Sequence, residues 1–300
     1  HFRKAQELRP RGVTNFYREG MLFKQIERKT EKSIPLFERA AGNWENMEES
    51  EKKERMRERK NYVKSLYQLA SALLETNRPT RALGVLEKCI EEDEDTNYIS
   101  PLYKYFGLGK IHFQLNSYKK AKDALEFAAS CEAERPIDFV YELLARTHLA
   151  MGDEQGAAAA VNRVPEKSRR PYYRWTEADV LCALKDFRGA RIVLLRSIER
   201  DKRSAHKALI RLARIEYLSG DFRKTGKYAK AAQKFFQDTW GGLLDEASFW
   251  EALSAYHLGE HEHAVKIATE LKGRNPRYPK LDRLLASLAG RTPGPRGGGR

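Results

Sequence analysis

One short pattern recurs six times along the 300-residue chain and limits its fold more than any other feature. Thr76–Ala82, Leu115–Ala121, Met151–Ala157, Leu184–Ala190, Ser219–Thr225 and Leu258–Ala264 each set a tight polar turn just ahead of a small residue. The small residues fall at 82, 121, 157, 190, 225 and 264, a spacing of 33 to 39 residues. A period of that size marks a supersecondary unit that cannot bury its apolar face alone and must stack on copies of itself. The stretches between turns carry apolar residues at i, i+3, i+4 and i+7. Leu66, Leu69, Ala70 and Leu73 precede the first turn, and Ala82, Val85, Leu86 and Cys89 follow it. Leu108, Ile111 and His112, then Ala121, Ala124, Leu125 and Ala128, repeat the arrangement. Each stripe is one buried helix face. Sustained period-two alternation and Asn-Gly hairpin turns are absent, so the predicted class is all-α.

The first helix of each unit also holds a small residue, at Ala70, Gly109, Ala145, Ala178, Ala213 and Ala252. Together with the turn and the small residue opening the second helix, this resembles the tetratricopeptide repeat family over about 62–275, in six units. Thr225 departs from the usual Ala, and the aromatic–Leu–Gly start is complete only around Tyr105, Leu108 and Gly109. Residues Gly156 to Ala160 give the third unit a second helix of little bulk, which Pro165 ends early. The resemblance implies a right-handed α-α superhelix, a solenoid of six to seven helix-turn-helix units whose first helices line a concave face. Residues 1–61 are expected to form a degenerate unit followed by a charged helix. Its two helices lie around Gly20–Phe23 and Ser33–Ala40, with Glu27–Thr30 as the turn. Glu45 to Lys60 are expected to extend the next helix into solvent, supported by Glu48–Lys52 and Glu49–Lys53, with a flexible linker as the rival reading. Leu281, Leu284, Leu285 and Leu288 predict a capping helix over 276–289, and 290–300 read as a disordered basic Gly/Pro tail.

Catalytic motifs are missing. No nucleophile elbow, P-loop, His-Glu-x-x-His or glycine fingerprint occurs, so the chain is expected to be no enzyme and to need no cofactor. Gly241-Gly242 reads as a turn, lacking the lysine that would reach a phosphate. His257, His261 and His263 straddle a helix break and are expected to be exposed turn residues rather than metal ligands. His112 and His148 sit at matching inward positions and read as core or groove residues. Cys89, Cys131 and Cys182 form no CxxC; Cys89 reads as core, and Cys182 is placed near an accessible inner face. This cysteine usage favours a reducing, cytoplasmic setting, although His1 in first place allows a removed leader. No segment approaches the ~18 consecutive apolar residues of a spanning helix.

Projected onto the family's geometry, the first helices place Tyr67, Tyr103, Phe106, Lys110, Phe139 and Arg146 along the early groove. Farther on come Tyr172, Trp175, Lys207, Arg211, Arg214, Tyr217, Phe249, Trp250 and Tyr256. Phe106, Tyr217 and Phe249 are as well placed to pack between helices; Trp175 and Arg214 are the stronger groove positions. Aromatic rings with cations suit a protein segment carrying acidic and hydrophobic side chains, because arginine pairs carboxylates bidentately. The family's chaperone-binding members hold a terminal carboxylate with Lys and Asn, but the matching places here are Tyr67 and Ser71, so that clamp is not expected.

The net charge of +14 is uneven: residues 165–235 hold 19 basic against 8 acidic residues, whereas Phe236 to Glu262 has no Lys or Arg. The expected function is therefore a scaffold or adaptor for a protein partner. Binding of RNA or single-stranded DNA through 165–235, or service as the regulatory repeats of a larger enzyme, are the alternatives. No sequence feature demands self-association.

Overall fold

The computed structural model describes residues 2–131 and 136–290, which contain seventeen α-helices and, among the described residues, no strand. The chain forms two compact units, 1–163 and 164–300. Unit 1 comprises α1 (Phe2–Leu8), α2 (Val13–Met21), α3 (Thr30–Glu45), α4 (Glu49–Glu54), α5 (Arg59–Glu75) and α6 (Pro79–Glu92). It continues with α7 (Pro101–Gln114), α8 (Tyr118–Ser130), α9 (Asp138–Ala150) and α10 (Glu154–Asn162). Unit 2 comprises α11 (Pro171–Ala183), α12 (Phe187–Arg200), α13 (Ala205–Leu218), α14 (Phe222–Trp240), α15 (Asp245–His257), α16 (His261–Arg274) and α17 (Leu281–Ala289).

The recurring turn has one backbone solution. Asn77, Asn116, Gly152, Lys185, Gly220 and Gly259 all adopt φ between +57° and +82°, the left-handed region that ends a helix. In each case the next N–H reaches back five residues to a carbonyl, as from Arg78 to Leu73, Asp186 to Leu181 and Glu260 to Ala255, at 2.8–2.9 Å. At three of the six turns the side chain of the residue making that bond also caps the following helix. The carboxylates of Asp153, Asp186 and Asp221 accept from the N–H groups of Gly156, Gly189 and Lys224 at 2.8–3.0 Å. Gly-Asp is therefore a helix stop joined to a helix start, and this explains its recurrence. Lys185 alone among the six is neither Gly nor Asn and carries a Cβ in the left-handed region. Lys185→Gly is expected to stabilise unit 2 by about 1 kcal/mol, seen as a raised urea midpoint.

The small residues lie where helices cross. Ala82, Ala121, Ala157, Ala190, Thr225 and Ala264 are all fully buried. A Cβ on Gly109 would sit 2.6 Å from the Leu125 side chain, so α7 and α8 approach as only glycine permits. Thr225, the departure from alanine, is accommodated because its hydroxyl donates to the Asp221 carbonyl at 3.0 Å. Around these crossings the unit 1 core runs from Val13 and Phe37 through Tyr62 and Leu73 to Leu86 and Ile111. In unit 2, one cluster centres on Leu194 and Leu212 and another on Leu271, Leu281 and Leu288, the last two from α17.

The stretch 45–60 differs from expectation. It is largely exposed, as expected, but it is not one helix: α3 stops at Glu45, α4 is six residues long, and a 3-10 turn at Met56–Glu58 precedes α5. Two of its charges, on Arg55 and Glu58, are used internally. Glu58 accepts from the Val13 N–H at 2.6 Å, capping α2 across 45 residues, and Arg55 joins Glu58 to Glu51 and to the Arg11 carbonyl. Lys52 pairs with Glu49 at 2.8 Å, a spacing of three rather than four. Cys182 is also corrected: it is buried, 7% exposed, because it packs in the α11–α13 core. Apart from Gly290, the expected tail lies outside the described residues.

Candidate protein-interaction faces

In unit 1, α5, α7 and α9 present the sequence-identified aromatics together. Tyr103 stacks on Phe139 with centroids 6.2 Å apart, and Phe106 meets the same ring edge-on at 4.7 Å. The Lys110 ammonium stands 5.8 Å from the Phe106 ring. Tyr67 lies deeper, lining a small cavity of about 50 Å³ with Leu74, Leu86 and Phe106, and burial pushes its phenol up to about 12. Arg146 turns aside, lying over Phe113 and 3.7 Å from Glu142. The projection did not reach Lys24. A π-helical turn at Leu22–Ile26 carries it to α5, where it bonds Gln68, Ser71 and Glu75 at 2.7–3.2 Å. Burial lowers this ammonium below its usual value, with Glu75 opposing.

In unit 2, α11, α13 and α15 form the corresponding face. Trp175 is the platform for two cations, with Lys207 at 5.1 Å and Arg211 at 5.6 Å from its ring. Lys207, Arg211 and Arg214 lie at i, i+4 and i+7, one side of α13. Asp179, one turn beyond Trp175, holds Arg211 Nε at 3.1 Å and Arg214 Nη1 at 3.7 Å. On α15, Trp250 contributes a ring 5.5 Å from Tyr217 and donates to Glu246, a carboxylate within electrostatic reach of both arginines. Tyr217 also meets His257 through a 3.1 Å contact between Oη and Nε2. Tyr172 and Tyr256 are half-buried nearby in sequence, while Phe249 is core. Sequence reasoning found the rings and cations and missed Asp179 and Glu246. The signal was present, since Asp179 shares a helix face with Trp175 four residues earlier.

The histidines separate. His257 stacks on Phe222 at 4.3 Å, His261 lies 6.0 Å from Tyr256, and His263 faces Glu251 at 3.3 Å. No group of His, Cys, Asp and Glu able to hold a metal occurs among the described residues. His148 is buried and bonds Asp153 at 2.7 Å; His112 has a buried Nδ1 with no partner, and burial lowers its pKa. Among the described residues no helix is long and apolar enough to cross a membrane.

A family model described as tetratricopeptide repeat matches residues 63–96, which span α5 and α6. A search of curated proteins finds no match. Solved structures are similar in fold at low identity. A tetratricopeptide repeat protein from Parabacteroides merdae superposes with a TM-score of 0.70 at 9% identity, covering 92% of this chain and 98% of that one. PilW, a type IV pilus biogenesis factor, gives 0.59 at 16% identity over 74% of this chain and 98% of its own. A Rap protein solved in complex with competence and sporulation factor gives 0.57 at 16% identity, covering 92% and 79%. The chain thus carries a matched tetratricopeptide repeat at 63–96 within an all-α fold that is similar to those of tetratricopeptide repeat proteins.

Proposed function

We propose that this chain is a non-enzymatic scaffold that holds a protein partner on the first-helix face of unit 2. The partner's segment offers carboxylates to Arg211 and Arg214 and apolar side chains to Trp175, Tyr217 and Trp250. The observation that carries this reading is the joint presentation of a cation row and aromatic rings by three successive first helices. The Rap protein's complex supports it as a precedent for ligand capture on this fold.

The basic stretch 165–235 favours a protein over nucleic acid, because part of its charge is already paired with carboxylates. Arg169 pairs with Glu177, Arg191 with the buried Glu216 at 2.6 Å, Arg196 with Glu166 and Lys224 with Asp221. Arg174 is itself buried. The exposed row Arg223, Lys227, Lys230 and Lys234 on α14 is what a nucleic-acid reading would use.

A photo-crosslinking residue at position 217, with a second at position 234 on the α14 row as comparison, tests the face directly. Position 217 is expected to give discrete protein adducts that survive nuclease. Adducts from 234 alone, or adducts made of nucleic acid, would overturn the assignment.

A further inference from the structure

Resting on that reading, we infer that Asp179 is a resident carboxylate that occupies the seat of the partner's own carboxylate and sets the acidity the partner must have. Asp179 and the two arginines it bridges are all on the proposed docking face. Its two oxygens are divided between Arg211 Nε at 3.1 Å and Arg214 Nη1 at 3.7 Å, the shared grip that an incoming Asp or Glu side chain needs. Arg211 is fixed by more than this contact. Its Nη1 donates to the Lys207 carbonyl at 3.1 Å and its guanidinium lies over Trp175, so it stays aimed at the face when Asp179 is vacated. Arg214 is looser, with 52% of its side chain exposed and a longer contact to Asp179, and it is free to follow an outside carboxylate.

The charge count points the same way. Lys207, Arg211 and Arg214 supply three positive charges, and Asp179 and Glu246 return two negative ones. A neutral apolar segment therefore meets a nearly balanced surface and gains only ring contact. A segment with a single carboxylate must compete with Asp179 for the same donors. A segment with several carboxylates gains the remaining positive charge and displaces Asp179 toward water, where its 27% exposed side chain is readily solvated. The partner class is therefore a multiply acidic segment with interspersed apolar residues, discriminated from singly acidic and neutral apolar ones by a carboxylate of the protein itself.

The test uses fluorescence anisotropy of a fluorescein-labelled peptide of alternating glutamate and leucine, and of its glutamine counterpart, on the full chain. Asp179→Asn keeps the side-chain shape, Asp179→Ala removes it, and Asp179→Glu restores the charge; circular dichroism verifies that each is folded. The first two variants are expected to bind the glutamate peptide about two- to fivefold more tightly than the parent chain, the scale of one partly exposed ion pair. Asp179→Glu should bind it as the parent does, and the glutamine peptide should not discriminate among the four proteins. Unchanged or weakened binding by folded Asp179→Asn and Asp179→Ala, with the parent chain binding normally, would overturn the resident-carboxylate role and leave the docking face standing. An equal gain for the glutamine peptide would overturn it too. If neither the parent chain nor any variant bound the glutamate peptide, the docking face itself would fall.

Discussion

Replacing Lys104 with Ala is expected to destabilise unit 1 by about 3–5 kcal/mol, the cost of leaving a buried charge without its partner. The loop between α6 and α7 is organised around Asp93, which is fully buried, and Lys104, 3% exposed. Lys104 Nζ donates to the Asp93 carboxylate and to its backbone carbonyl, both at 3.1 Å, and to Asn97 at 3.2 Å. The same carboxylate accepts from the Thr96 hydroxyl and from the N–H groups of Tyr98 and Ile99 at 2.7–2.9 Å. Removing the ammonium leaves that carboxylate in the interior with only neutral donors. Lys104→Met, which restores apolar bulk but not charge, should remain nearly as damaging, and the pair Asp93→Asn with Lys104→Met should recover part of the loss. Urea titration followed by circular dichroism reads all three.

The pair also predicts a pH dependence. Burial raises the Asp93 pKa, but its four hydrogen-bond donors outweigh burial and hold it below the ordinary carboxylate value. A carboxyl depressed in the folded state contributes stability that is full above its unfolded pKa and is lost as pH falls toward the folded one. Unit 1 of the parent chain should therefore weaken on acidification below the usual carboxylate range, and the Asp93→Asn, Lys104→Met protein should weaken less.

The helical architecture was legible because the turn is written into local chemistry. An Asn or Gly that can adopt positive φ, followed at Gly152 and Gly220 by an Asp that caps, is a backbone instruction independent of distant contacts. The buried small residues were legible for the same reason, since each recurs at a fixed offset from its turn. What sequence did not disclose was long-range polar pairing. Residues 45–60 read as solvated because they are charged, yet Glu58 and Arg55 are drawn in to serve the N-terminus of α2 and the carbonyl of Arg11 before it. Lys24 was passed over because a π-helical turn shifts its direction relative to an α-helical projection. On the candidate face the rings and cations were found by position. Asp179 was not, because its role depends on two arginines 32 and 35 residues away.

The second large effect concerns binding. Arg211→Glu with Arg214→Glu replaces two positive charges by two negative ones beside Asp179 and Glu246, turning the face from nearly balanced to strongly acidic. An acidic partner then meets repulsion instead of paired donors, and loss of at least about a hundredfold in affinity is expected, several kcal/mol at the scale measured for charge pairs at interfaces. The fold should tolerate the change: both side chains are partly exposed and neither fills the α11–α13 core. Asp179 loses its cations in the process, but at 27% side-chain exposure it is solvated rather than stranded.

Quantitative affinity capture from native lysate after nuclease treatment checks docking on the α13 face. It compares the parent chain, the Arg211→Glu, Arg214→Glu protein, and a Lys230→Glu, Lys234→Glu protein altered only on α14. One nuclease-resistant protein partner is expected, retained by the parent chain and the α14 variant and absent from the Arg211/Arg214 variant. Retention of that partner by the Arg211/Arg214 variant, or nucleic acid recovered without nuclease and released by salt only when the α14 row is intact, would contradict it.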